Sequence, residues 1–347
     1  MPDDVPRLWI RHESRTSERR APLTPEDAAT LVARGIPVTV EESPQRVFAI
    51  GDYRAAGCAI APAGSWTAAP ADVYVVGLKE LPDEPAKLTH RHIFFGHAYK
   101  GQTGARLLLD RFAAGGGALL DLEYLTDEDG RRLAAFGYWA GYVGAALAVL
   151  HRRGRLTTPL APLGRAELDA ALRESRTDDG LRALVTGALG RCGSGARDAL
   201  ATAGIDPTCW DLAETRDLDR PALLDHDILV NAVLTGRPVP PFLTAGHLDA
   251  PGRRLSVVSD VTCDVTSDCN VLPFNDRTTT WERPVRRLRD GERPLDVITI
   301  DNLPSLLPAE AARSFSADLL PHLLDLGGPP WERCLRTFHT ALESAHV

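Results

Sequence analysis

Short apolar runs, each closed by polar or charged residues, recur along the chain. Early on they are RLWIRHE, PVTVEES, VYVVGLKE, HIFFGHAYK and GALLDLEYL; later, ALVTGALG, PTCWD, DILVNAVL, LSVVSDVT and DVITIDNL repeat the pattern. Runs this short, rich in Val, Ile and Leu, predict buried parallel strands. Helical segments alternate with them. Thr24-Pro25-Glu26-Asp27 predicts a helix start, with Thr24 as N-cap, Pro25 in the first helical position and Asp27 at the capping-box position. The helix EDAATLVARG should end at Gly35, and another is predicted from about Ser194 to Ala203. This alternation predicts an α/β chain: two Rossmann-like domains with parallel sheets and an active-site cleft between them. Ligands in such folds sit outside the C-terminal ends of the strands. The residues that close each run are therefore where chemistry is expected.

One segment departs from the pattern. Leu133 to Leu150, LAAFGYWAGYVGAALAVL, carries no charge over 18 residues, the lower edge of a membrane-spanning length. It is rich in Gly and Ala, holds Phe136, Tyr138, Trp139 and Tyr142, and has no second segment like it. The expectation is a buried helix between two domains, packing closely through its small residues, and no membrane partner. The Arg-rich tract from Arg152 to Arg182 reads as a solvated connector and surface helix.

Composition narrows the function classes. The 347 residues suit about two domains at ~150 residues each. The net charge of -8 argues against a nucleic-acid partner, which needs a basic stripe. The start, MPDDVPRLWIRHE, has no basic region followed by an apolar run, so no signal peptide is expected. Six cysteines form no CxxC pair, so reduced thiols in the cytoplasm are expected. The assembly expected is a monomer or homodimer. Only three of the 39 basic residues are lysines: Lys79, Lys87 and Lys100. That skew fits GC-rich coding, and it raises the question of why these three were not replaced by Arg.

The most specific local motif is Gly187-Ala188-Leu189-Gly190-Arg191-Cys192-Gly193-Ser194-Gly195, after the strand-like RALVT. Glycines there let the backbone approach a pyrophosphate, and the helix N-terminus offers free N–H groups. The spacing is GxxGxxG, so an ordinary strand-to-helix turn also fits. Asp211, closing the next run, lies roughly 20 residues on, where an acid binds ribose hydroxyls and repels a 2′-phosphate. The expected cofactor is NAD. The strand ends at Asp260 and at Asp301-Asn302-Leu303 should border the same crevice. The expected division is 1–133 as substrate and catalytic domain, 134–301 as NAD-binding domain, and 302–347 as a helical segment returning to the first.

In the first domain, charge collects at strand ends: Lys79 and Glu80, His97 and Lys100, Asp121 and Glu123, and Glu13, Arg15, Glu18, Arg19 and Arg20. A lysine can lose its proton on desolvation and act as a base, whereas Arg stays charged. Lys79 and Lys100 have that setting; Lys87, in a polar loop, does not. His97 is a candidate acid/base near neutral pH. His90, His92 and His97 do not have a tight zinc spacing, and no metal is expected.

Together, GLKELP, FFGHAYKGQTG, DLEYLTDEDGRRLAAFGYWAG, GALGRCGSGA, WDLAET and ITIDNLPSLLP resemble the NAD-dependent, lysine-forming saccharopine dehydrogenases, with ESPQRVF, YRAAGC and PAGSW also fitting. Alanine dehydrogenases and transhydrogenases are the wider relatives. The resemblance implies oxidative cleavage of saccharopine with NAD and water to lysine and 2-oxoglutarate, with a small amino-acid substrate. It implies that Lys79 takes the proton of the substrate amine and His97 activates water. It places Arg20, Lys100, Glu123, Arg132, Phe136 and Glu18 around the substrate. Gly187, Gly190, Arg191, Gly193, Asp211, Thr215, Arg131, Asp260, Asp301 and Leu303 fall at the cofactor. Arg15 stands where the family usually has Lys, Asn302 where a His follows the Asp, and Leu234 replaces an aromatic. An opine-type or amino-acid dehydrogenase on another amine and 2-oxo acid is the alternative.

Overall fold

The computed structural model describes residues 5–99, 102, 104–177 and 180–345. The chain divides into two compact units, Met1–Ala135 with Ala311–Val347, and Phe136–Glu310. Against the boundaries expected after 133 and 301, the chain passes between units at 135/136 and 310/311.

In the first unit the strands are β1 (Arg7–Ile10), β2 (Val38–Glu41), β3 (Ala59–Ala61), β4 (Val73–Val76), β5 (Arg91–Phe94) and β6 (Ala118–Asp121). They form a parallel sheet in the order β3-β2-β1-β4-β5-β6. Helices α1 (Pro25–Ala33), α2 (Ile50–Ala55) and α3 (Ala105–Gly115) lie between strands. The order reverses between β1 and β4, which makes the C-terminal ends of those two strands the topological switch point. Leu8, Ile10, Val75, Ile93 and Leu119 are buried in this sheet, as expected for strands covered on both faces.

The predicted start of α1 is present, with a change of partner. Thr24 caps the helix by accepting from the Asp27 N–H at 3.2 Å. Asp is one methylene shorter than the Glu or Gln of a full capping box. Its return bond is relayed: the Thr24 N–H donates to Ser316 Oγ at 2.9 Å, and the Ser316 hydroxyl donates to the Asp27 carboxylate.

The second unit holds α4 (Gly137–Arg152), α5 (Arg165–Glu174), α6 (Arg191–Thr202), α7 (Leu212–Arg216) and α8 (Arg220–Leu224). Its strands are β7 (Ala183–Thr186), β8 (Thr208–Trp210), β9 (Ile228–Asn231), β10 (Val257–Asp260), β11 (Arg286–Arg289) and β12 (Leu295–Ile298), in the order β11-β12-β10-β9-β7-β8. The expectation of parallel sheets needs one correction: β11, absent from the predicted elements, joins β12 antiparallel. Its sequence, RRLR, is charged and half-exposed, so it carries no apolar signal to read. The switch point here lies between β7 and β9.

The uncharged run is α4. It belongs to the second unit and is buried within it, rather than being a helix between units. Among the described residues no helix is long and apolar enough to cross a membrane. The small residues do what their size predicts. A Cβ on Gly141 would stand 1.7 Å from the Cys192 carbonyl oxygen, and one on Gly195 would stand 1.9 Å from that of Tyr138. Two glycines, one on α4 and one on α6, let the helices touch backbone to backbone.

Helices α9 (Pro308–Leu324) and α10 (Pro329–Ala345) carry the chain back to the first unit. Phe315 meets Phe95 at 5.9 Å between ring centroids, and Phe338 packs edge-on against Phe112 at 5.6 Å. The three histidines weighed and set aside as metal ligands part company. His90 and His92 are buried on or beside β5 near Trp66, whereas the His97 side chain is exposed. No cluster of three metal-ligating side chains occurs among the described residues.

Candidate active site

The first unit brings its predicted residues to one edge of its sheet. Lys79 follows β4, His97 follows β5, and Glu123 follows β6, on neighbouring strands. Lys100 lies outside the described residues. His97 adopts φ +48°, a left-handed conformation that non-glycine residues reach at a cost and that clusters at functional sites. Its Nδ1 stands 3.6 Å from Glu123 Oε2, and the other oxygen, Oε1, accepts from Arg132 Nη2 at 2.7 Å. Glu123 thus sits between a histidine and an arginine. Arg132 is placed by a tight turn in which Thr126 bridges it and Asp127 accepts from the Arg131 N–H at 2.8 Å. Arg131 is exposed on that turn.

Behind Glu123 lies Asp121, fully buried, with the Glu123 N–H donating to its Oδ1 at 2.9 Å. Burial pushes the Asp121 carboxyl up to about 6, and the nearby Glu123 charge adds to the rise.

Glu18 and Arg20 form a buried, forked ion pair: Nε to Oε1 at 2.8 Å and Nη2 to Oε2 at 2.7 Å. Burial alone would raise the Glu18 carboxyl; the charge and hydrogen bonds of Arg20 outweigh it, with Lys79 adding, and hold it below its ordinary value. One edge of the Arg20 guanidinium, Nε with Nη2, therefore faces Glu18. Arg15, at the family's usual Lys position, bonds Glu80. Burial would raise that carboxyl too, but the hydrogen bond from Arg15, its charge and that of Lys79 lower it. Lys79 is thus flanked by two carboxylates, Glu18 and Glu80, each paired with an arginine.

A groove of about 910 Å³ runs elsewhere on this unit, lined by Tyr99, Tyr124, Arg106, Arg333 and Arg336. It contains none of the predicted site residues.

The second unit supplies a cradle. Gly187 has φ +72°, and a Cβ there would meet the Ala232 carbonyl at 2.8 Å. A Cβ on Gly193 would meet Gly187 O at 2.2 Å. The first glycine makes the turn and the third lets helix and strand close. Helix α6 begins at Arg191, earlier than the predicted Ser194, with Gly190 as N-cap and no side-chain cap bond. Its first N–H groups therefore suit an anion.

Asp211 ends β8 and ties the edge together. Its Oδ2 accepts from the Leu189 N–H and its Oδ1 from the Leu212 N–H, both at 2.9 Å. The Thr215 hydroxyl donates to its carbonyl at 2.7 Å. Beside it is a cavity of about 700 Å³, lined by residues including Leu212, Thr215, Val233, Thr235, Arg237 and Phe242. Leu189, Leu212 and Leu234 are 77%, 69% and 61% exposed, three of the six large exposed hydrophobics among the described residues. All three stand at this one edge, so the patch suits a flat apolar ring.

Asp260 is placed differently from Asp211. It is buried, its Oδ1 accepting from Asn231 Nδ2 at 3.0 Å and Thr262 Oγ1 at 2.8 Å, its Oδ2 from Asn275 Nδ2 at 2.9 Å. Thr186 joins through Asn231 Oδ1 at 3.0 Å. The network links the ends of β7, β9 and β10 and makes Asp260 a floor beneath the edge. Thr186, Asn231 and Asn275 were not predicted, although Thr186 and Asn231 close their apolar runs as the strand-end rule requires. Asp301 is exposed after β12, while the Leu303 side chain is buried and lies close to Gly144 of α4. Phe136 is the N-cap of α4. The residues therefore fit a dinucleotide: a glycine turn, an uncapped helix start, an acid at the second strand end and an apolar slot beyond it.

Comparison with known proteins follows the same lines. The family described as alanine dehydrogenase/PNT, N-terminal domain, matches residues 9–143. A protein of Schizosaccharomyces pombe named saccharopine dehydrogenase [NAD(+), L-lysine-forming] is 39% identical over 98% of this chain and 99% of its own. One of the same name from Emericella nidulans is 42% identical over 92% of each. Among solved structures, an L-alanine dehydrogenase superposes with TM-score 0.67 at 16% identity, covering 98% of this chain and 99% of that one. A transhydrogenase from Sinorhizobium meliloti gives 0.64 at 16%, covering 92% and 94%. At that identity the two structures speak for the fold alone.

Proposed function

The chain belongs to the family of NAD-dependent, lysine-forming saccharopine dehydrogenases, and from that premise we propose that it cleaves saccharopine oxidatively to lysine and 2-oxoglutarate. The observation that carries this reading is the 39% identity along 98% of the chain. NAD, when bound, accepts a hydride from the carbon that becomes the keto carbon of 2-oxoglutarate. The loop at Gly187, Gly190, Arg191 and Gly193 would hold its pyrophosphate, Asp211 its ribose, and Leu212, Thr215 and Val233 its adenine side. Arg131, Asp260, Asp301 and Leu303 complete the proposed cofactor set, Asp260 from beneath.

Lys79 Nζ would take the proton from the secondary amine as the C–H bond breaks. The carbon–nitrogen double bond left in the substrate is then open to water. His97 would deprotonate that water, with Glu123 favouring the protonated imidazole that results. It would then return the proton to the departing lysine amine. Arg20 and Arg132 would favour the carboxylates of a diacid, while Glu18 and Glu123 temper that charge. Phe136 and Lys100 complete the proposed substrate set. The six cysteines keep their thiols, which suits a reducing compartment such as the cytoplasm.

The test is NADH oxidation with 2-oxoglutarate and a panel of amines. Turnover with lysine is the expected result. Turnover only with other amines would overturn the substrate, and NADH binding without turnover on any amine would overturn the activity.

A further inference from the structure

The backbone of Lys79 is gripped from both sides by a buried ion pair. The Leu78 N–H donates to Glu13 Oε1 at 2.7 Å, and the Lys79 N–H to Glu13 Oε2 at 3.0 Å. The Lys79 carbonyl accepts from Arg11 Nη2. Arg11 Nη1 lies 3.3 Å from Glu13 Oε2 and donates to the His12 carbonyl at 3.1 Å. Arg11 and Glu13 are 1% and 4% exposed. The guanidinium rests 5.8 Å over the Phe94 ring, and a Cβ on Gly77 would stand 2.3 Å from its Nε. Glycine at 77 is thus what admits Arg11. Gln45 Nε2 fixes the Glu13 carbonyl at 2.7 Å.

The pair spans β1 and β4, the two strands of the switch point. Residues two apart in extended chain point the same way, so Arg11 and Glu13 reach the same loop. Burying an ion pair gains little stability over an apolar pair of equal volume. What a forked, charge-assisted grip supplies is a fixed direction. We propose that Arg11 and Glu13 are positioning residues for Lys79, holding the Leu78–Lys79 peptide so that Nζ meets the substrate amine in one orientation. The proposal rests on Lys79 being the base.

The experiment is a double-mutant cycle on the full chain, with lysine, 2-oxoglutarate and NADH. Glu13→Gln keeps the shape and removes the charge. Misplacing a reacting group by an ångström costs about 100-fold, so kcat should fall by about that factor, while both KM values and NADH affinity hold within about threefold. If Glu13 acts through Lys79, adding Glu13→Gln to Lys79→Ala should cost less than about threefold more. Wild-type kcat in Glu13→Gln, or the same 100-fold loss on the Lys79→Ala background, overturns the proposal. Should Glu13→Gln fail to fold, Gly77→Ala, whose Cβ meets Arg11 first, goes through the same cycle with the same two outcomes. Wild-type kcat in Lys79→Ala is a different failure: it removes the base assignment itself.

Discussion

Asp121→Asn should stabilise the protein, and only above a defined pH. The carboxyl is fully buried at the end of β6, where the backbone N–H groups of Glu123 and Gly96 favour its charged form without offsetting its burial. Burial, and then the neighbouring Glu123 charge, raise it from 3.8 to about 6. The folded chain thus holds this proton more tightly than the unfolded chain does. Stability falls as pH rises through that window, from about 4 to about 6, and the whole cost is present above it. A rise of that size corresponds to about 3 kcal/mol. Asparagine stays neutral, and its side-chain oxygen can still accept the Glu123 N–H. The variant should therefore gain about 1–3 kcal/mol at pH 8, the lower end allowing for an imperfect fit of the amide. The gain should vanish at pH 4. Urea unfolding of both proteins across pH 4–8 measures it. A difference that is flat with pH, or that favours Asp121 at pH 8, would refute the argument from burial.

Three further outcomes follow from the geometry. Lys79→Arg should fold with an unchanged circular dichroism spectrum yet lose about 10²–10⁴-fold in kcat at neutral pH, because the guanidinium keeps its proton; near-wild-type activity would rule out a base there. Gly195→Ala should cost about 1–3 kcal/mol by overpacking, read from the urea midpoint, because its Cβ would stand 1.9 Å from the Tyr138 carbonyl oxygen. Ser316→Ala should cost about 1–2 kcal/mol, since it removes the relay between Thr24 and Asp27; an unchanged melting temperature would show that the relay is idle.

Much of the fold was legible because its strands are buried on both faces and so spell themselves as apolar runs. RLWI, VYVV, ALVT and ILVN became β1, β4, β7 and β9 almost letter for letter. The strand β11 was not legible, because an edge strand with charged, half-exposed side chains has no such signature. The start of α6 was misjudged by three residues: glycine and cysteine at its first turn look like loop, and only tight packing on α4 makes them helix. At the candidate site the strand-end rule pointed to Lys79, His97, Glu123 and Asp211, and each lies just beyond a strand. It could not separate Asp211, half-buried at the edge, from Asp260, buried beneath it, since both simply close an apolar run. Nor could it find the grip of Arg11 on Lys79, which joins residues far apart in the chain through backbone atoms.

The return of α9 and α10 to the first unit has a consequence for biosynthesis. Phe95 and Phe112 find Phe315 and Phe338 only in the last helices of the chain, after the whole of Phe136–Glu310 has been made. At about 5–20 residues per second, the half carrying Lys79 and His97 waits roughly ten to forty seconds on the ribosome with part of its core open. The glycine-loop half, uninterrupted in sequence, has no such wait. A premature stop near residue 310 should therefore leave a nucleotide-binding fragment attached to an unfinished, protease-sensitive partner.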